Sequence, residues 1–114
     1  MGRYEDISPE QVYLAMKEGQ PVVLDIRDDH SYRESHIDGA MLSHDGLMQS
    51  LIQKKEYDRP IIIYCYHGIN SREKADFFGA LGFKKVYSME GGYVAWKKWQ
   101  GDQENAYIGL QVNV

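Results

Sequence analysis

The sequence predicts an α/β fold in which a central, mainly parallel β-sheet is flanked by helices on both faces. Three observations predict it. Short β-branched runs alternate with amphipathic stretches of helical spacing along the chain. The strongest run, Ile61-Ile62-Ile63-Tyr64, is apolar throughout, as expected of a strand buried on both faces. The 114 residues suffice for one hydrophobic core, so strands separated by helices join by right-handed crossovers into one sheet.

Each element has a local cause. Ser8-Pro9-Glu10-Gln11 reads as a helix start. Ser8 caps, Pro9 suits the first helical position, and Gln11 stands three residues after the cap. Val12, Ala15 and Met16 form the apolar face, and Gly19 with Pro21 ends the helix. Val22 to Ile26 reads as a short buried strand, and Asp28 to Ser35 as a polar helical stretch. Asp45 to Lys55 carries Leu47, Met48, Leu51 and Ile52 at helical spacing. Asp58-Arg59-Pro60 turns the chain into the strand Ile61–Tyr64. Ser71 to Leu81 is the next helix, with Ala75, Phe78 and Leu81 inward and Gly82 as its stop. Lys85 to Ser88 is a strand, Gly91-Gly92 a break, and Tyr93 to Trp99 a last amphipathic helix. Residues 101–114 are polar, then mildly alternating, and read as a loose tail or an added edge strand. The expected organisation is one domain over 1–114, with its core at about 4–100.

Composition narrows the function classes. Hydrophobic residues make up 43% and charged residues 26%, ordinary globular usage that argues against disorder. Seventeen acidic against thirteen basic residues leave a net charge of -4, the wrong sign for a general nucleic-acid binder. No apolar run approaches the ~20 residues that span a bilayer, and the N-terminal residues lack the apolar segment of a secretory signal. A cytoplasmic protein with no membrane partner is expected. One cysteine excludes an intrachain disulfide. His30, His36, His44 and His67 lack metal-ligand spacing, so no metal site is expected.

In a parallel sheet, ligands bind outside the carboxyl ends of the strands. That rule selects the positions after Asp25 and after Tyr64, and the second holds Cys65. The segment from Ile61 through Cys65-Tyr66-His67-Gly68-Ile69-Asn70-Ser71-Arg72 is a buried strand, a cysteine, a glycine-containing loop and a helix start. A tight loop there can aim successive amides inward, beside the positive end of the helix dipole. A thiolate is stabilised in such a place, its pKa falls, and it becomes nucleophilic. A free cysteine is otherwise often an inert core residue; the strand–loop–helix context favours the nucleophile. Asp25 and Arg27 border the same mouth and read as structural support through an ion pair. Tyr93, Trp96 and Trp99 read as packing, Lys84-Lys85 and Lys97-Lys98 as solvated faces.

Three stretches resemble a known family. Asp25-Ile26-Arg27 followed by Tyr32, Ser35-His36-Ile37 and Gly39-Ala40 is similar to the first signature of the rhodanese-type sulfurtransferases. Cys65-Tyr66-His67-Gly68 with Ser71 is similar to their active-site loop. Glu90-Gly91-Gly92 followed by Trp96 is similar to their closing signature. In this order they span roughly Tyr4 to Trp99 and most resemble the single-domain GlpE type of thiosulfate sulfurtransferase. The resemblance implies a rhodanese-like fold and a catalytic Cys65 that takes the outer sulfur of thiosulfate as a persulfide. It implies donor binding by Tyr66, His67, Gly68, Ile69, Asn70, Ser71 and Arg72, and a structural His36. It implies no metal or organic cofactor, and an acceptor that is cyanide, a small thiol or a thioredoxin-like protein. One departure is Asn70, where many members carry arginine, serine or threonine. Cysteine-dependent phosphatases, some of which share the rhodanese fold, use Cys-x5-Arg. Here Ser71 holds that sixth place and Arg72 follows one residue, or about 100°, later. A non-catalytic persulfide carrier would need the same loop and stays open at this point.

Overall fold

The computed structural model describes residues 3–112, with backbone alone for 107–112. The elements in chain order are β1 (Glu5–Ile7), α1 (Pro9–Glu18), β2 (Val22–Asp25), α2 (Asp29–Glu34), β3 (Met41–Leu42), α3 (Asp45–Lys54), β4 (Ile61–Tyr64), α4 (Asn70–Ala80), β5 (Val86–Met89) and α5 (Gly92–Val112). The five strands form one sheet in the order β1-β5-β4-β2-β3, and every pairing is parallel.

β4 is central, and its alternate residues feed two cores. Ile62 and Tyr64 join Val12, Val23, Ile37, Met89, Tyr93 and Trp96 on one face. Ile61 and Ile63 join Leu24, Leu51, Ala75, Phe78, Phe83 and Val86 on the other. Burial on both faces explains the unbroken β-branched run. α1 opens as expected: Ser8 Oγ accepts from the Gln11 amide at 3.2 Å, and Gln11 Oε1 accepts from the Ser8 amide at 2.8 Å.

Several expectations needed correction. β1 and β3 are short edge strands of three and two residues with few buried side chains, so neither carries a hydrophobic signal. Leu81 is 39% exposed rather than inward; α4 ends at Ala80, and Phe83 fills the core place beyond the turn. Residues 101–112 are neither a loose tail nor an edge strand, because α5 runs unbroken from Gly92 to Val112. Lys98 and Asp102 form an i,i+4 ion pair at 3.1 Å that spans Gly101, just beyond the expected helix Tyr93 to Trp99. Asn113 and Val114 lie outside the described residues. Among the described residues, no helix is long and apolar enough to cross a membrane.

The topology brings two distant segments together. From β2 the chain moves outward to β3; from β4 it moves the opposite way to β5. The strand order therefore reverses between β2 and β4, where a crevice opens beyond the carboxyl ends. Asp25 pairs in register with Tyr64, so Ile26-Arg27 and Cys65-Tyr66 form the two lips of that crevice.

Candidate active site

Cys65 is carried out of the sheet directly by β4 and is buried at the floor of the loop that leads into α4. Its Sγ accepts from the Gly68 amide at 3.1 Å and the Ser71 amide at 3.4 Å. The Ser71 hydroxyl also lies 3.4 Å from Sγ and is held from behind by the Ser88 hydroxyl at 2.7 Å. Burial alone would raise the thiol pKa. The Ser71 hydroxyl and the amides of Ser71, Gly68 and His67 outweigh it, and the net shift is downward. The site is thus arranged for a sulfur-centred anion.

The loop holds this shape because a second turn grips it. The amides of Tyr93 and Val94, at the start of α5, donate to the carbonyls of Cys65 at 2.7 Å and Tyr66 at 3.1 Å. These bonds turn the loop carbonyls away from the sulfur, which leaves its amides facing Sγ. The approach requires glycine on both sides. Gly68 has φ +84°, and a Cβ there would stand 2.7 Å from the Gly91 amide nitrogen. Gly92 has φ +61°, and a Cβ there would overlap the carbonyls of Cys65 and Tyr66.

The opposite lip is a charged cluster roofed by aromatic rings. Arg27 Nη2 donates to Asp25 Oδ2 at 2.6 Å and to the Ser35 carbonyl at 2.7 Å, and Tyr64 Oη donates to the same Asp25 oxygen at 2.6 Å. The Arg27 guanidinium lies 4.1 Å from the Tyr93 ring centre and 5.2 Å from that of Tyr66. Burial opposes the charge on Arg27, but the bond and charge of Asp25 prevail and raise its pKa. Burial, followed by the bond to Asp25, pushes the Tyr64 phenol far up, so it stays a neutral donor. The Tyr66 hydroxyl meets that of Ser31, which donates to Asp28 Oδ1 at 2.8 Å. Asp28 in turn caps α2, so the cysteine loop is tied to the β2 side. Between the lips is a cavity of about 200 Å³ lined by Ile26, Arg27, Cys65, Tyr66, His67, Ile69 and Asn70.

Comparison with known proteins identifies the family. A family model for the rhodanese-like domain matches residues 8–98. The chain belongs to the rhodanese-like family. The thiosulfate sulfurtransferase GlpE of Pseudoalteromonas translucida is 38% identical over 94 residues, covering 82% of this chain and 90% of the relative. GlpE of Coxiella burnetii is 37% identical over 94 residues, covering 82% and 88%. Among solved structures, Saccharomyces cerevisiae Ygr203w, described as a homolog of single-domain rhodanese and the Cdc25 phosphatase catalytic domain, shares the fold. Its TM-score is 0.71 at 17% identity, covering 90% of this chain and 85% of that one.

Within this rhodanese-like domain, the loop residues singled out from the sequence are placed unequally. Gly68 and Ser71 touch the sulfur. Tyr66, His67, Ile69 and Asn70 line the cavity. Arg72 does not: its guanidinium is directed to Asp6 on β1, at 3.5 Å. Asp25 and Arg27 form the expected pair, and Arg27 also lines the cavity. His36 stacks on Tyr32 at 3.8 Å and bonds the Tyr32 carbonyl through Nδ1 at 2.7 Å. Two contributors escaped the sequence reading. Ser88 is a fully buried hydroxyl in β5, and the only hint was a polar residue inside a buried strand. Tyr93 had read as packing, yet its ring covers Arg27 and its amide holds Cys65.

Proposed function

We propose that this chain is a thiosulfate sulfurtransferase that moves the sulfane sulfur of thiosulfate to cyanide or a thiol through a persulfide on Cys65. The observation that carries this reading is the lowered thiol at the floor of the amide-lined loop. The Cys65 thiolate attacks the outer sulfur of thiosulfate. The sulfur–sulfur bond of the donor breaks, and sulfite leaves with the electron pair. The persulfide anion that remains is held by the donors that held the thiolate, so little reorganisation is needed between the two states. An acceptor then attacks the outer sulfur, and Cys65 leaves as the thiolate.

The GlpE relatives support thiosulfate as the donor class. Tyr66, His67, Ile69 and Asn70 shape the donor cavity, Gly68 and Ser71 stabilise the sulfur anion, and Asp25 with Arg27 holds the facing lip. A phosphate ester finds no free guanidinium in position: Ser71 occupies the place a phosphatase gives to arginine, Arg72 is paired with Asp6, and Arg27, which lines the cavity, is bonded to Asp25 and the Ser35 carbonyl. The test is mass measurement after incubation with thiosulfate, together with thiosulfate:cyanide turnover. Wild type is expected to gain one sulfur, lose it to cyanide and turn over; Cys65→Ser is expected to do none of these. Stoichiometric loading without turnover would mark a carrier, and activity retained in Cys65→Ser would refute the assignment.

A further inference from the structure

A groove of about 350 Å³ adjoins the Cys65 cavity and shares Ile26 and Asn70 with it. Glu73, Lys74 and Phe77 complete its lining. With Asn70 these residues stand at i, i+3, i+4 and i+7, on one face of the first two turns of α4. They are not the face that packs the core, which is Ser71, Ala75 and Phe78. Phe77 is 45% exposed. Among the described residues, neither Glu73 nor Lys74 is in an ion pair, whereas the neighbouring Arg72 and Asp76 both are. Both charged residues line the groove, which meets the cavity mouth at Asn70, one turn nearer the helix N-terminus. The groove therefore offers an apolar ring, one cation and one carboxylate beside the nucleophile.

This combination matches the two charges and short carbon skeleton of an amino acid. We propose that the groove is an acceptor subsite for a zwitterionic small thiol of the cysteine type. Its carboxylate faces Lys74, its ammonium faces Glu73, and its skeleton lies against Phe77 and Ile26. The thiol then enters the Cys65 cavity past Asn70. The inference rests on the persulfide reading above and names the acceptor class for it. In the transfer step the acceptor sulfur attacks the outer sulfur of the Cys65 persulfide, whose sulfur–sulfur bond breaks. The acceptor leaves as its own persulfide, carrying its thiol proton, and Cys65 is restored as the thiolate. No external oxidant or reductant is required.

The test uses the full chain with thiosulfate as donor and four acceptors: L-cysteine, 3-mercaptopropionate, cysteamine and 2-mercaptoethanol. Comparing each variant with wild type on the same acceptor cancels the intrinsic reactivity of each thiol. Lys74→Gln is expected to raise KM for cysteine and 3-mercaptopropionate about threefold relative to 2-mercaptoethanol, the scale of a partly exposed ion pair. Glu73→Gln is expected to do the same for cysteine and cysteamine. Equal changes for all four thiols, or none, would overturn the subsite while leaving wild-type cyanide turnover intact. Absence of both a persulfide and cyanide turnover in wild type would overturn the persulfide reading and the subsite with it.

Discussion

Replacing Ser71 by alanine isolates one of the contacts that lower the Cys65 thiol. The substitution keeps the amide at 3.4 Å from Sγ and deletes the hydroxyl at the same distance. Hydrogen bonds to charged groups are worth about 1.5–3 kcal/mol. For a long contact to a diffuse sulfur we take about 1 kcal/mol, which is about fivefold in the ratio of thiolate to thiol. Cys65 is the sole cysteine, so iodoacetamide alkylation reads it without interference, and only the thiolate reacts. At pH values below the lowered thiol pKa, Ser71→Ala is expected to alkylate about fivefold more slowly than wild type. Well above the ordinary thiol value of 9.0 the two rates should converge, since both thiols are then ionised. The change also leaves the buried Ser88 hydroxyl without its partner, at a stability cost of about 1–3 kcal/mol. Ser88→Ala controls for that cost, because it leaves the Ser71 hydroxyl on the sulfur. Superimposable pH–rate profiles for wild type and Ser71→Ala would refute the electrostatic argument. A slowing that persists at high pH would show that accessibility had changed instead.

Gly92→Ala is expected to lower stability by at least about 2 kcal/mol in urea denaturation, combining a left-handed φ with overlap on the loop carbonyls. Gly101→Ala, with nothing within 4 Å of the added carbon, is expected to stabilise α5 by roughly 0.5–1 kcal/mol; the reverse order would contradict the described packing. Because the folded thiol pKa lies below its unfolded value, ionisation adds stability as pH rises through that folded pKa, and the full gain is present above 9.0. Denaturation of wild type and Cys65→Ser across this window should show wild type gaining with pH and the variant not. Ser71→Arg restores the phosphatase spacing at a fully buried position; thiosulfate:cyanide turnover should fall sharply and p-nitrophenyl phosphate hydrolysis should stay near zero.

Much of this protein was legible because the relevant signals are local. Ser8, Pro9 and Gln11 interact within one turn of chain, so the capping box could be read from three residues. The run Ile61–Tyr64 announced a doubly buried strand, and the cysteine at its end followed from strand direction. What escaped depends on contacts between distant segments. Edge strands β1 and β3 exist because neighbours supply their hydrogen bonds, and their few side chains bury too little to leave a pattern. The continuation of α5 past Gly101 runs against the glycine's own helix preference, and the side-chain contact that bridges it is the exposed pair Lys98–Asp102. The site shows the same division. Cys65 and its loop glycine are adjacent in the chain, whereas the residues that make the loop face inward come from elsewhere: Tyr93 and Val94 grip its carbonyls, and Ser88 supports Ser71. Burial and hydrogen-bond partnership across the sheet are properties of the packed chain, so only the tertiary structure could assign Arg72 to Asp6 and Tyr93 to Arg27.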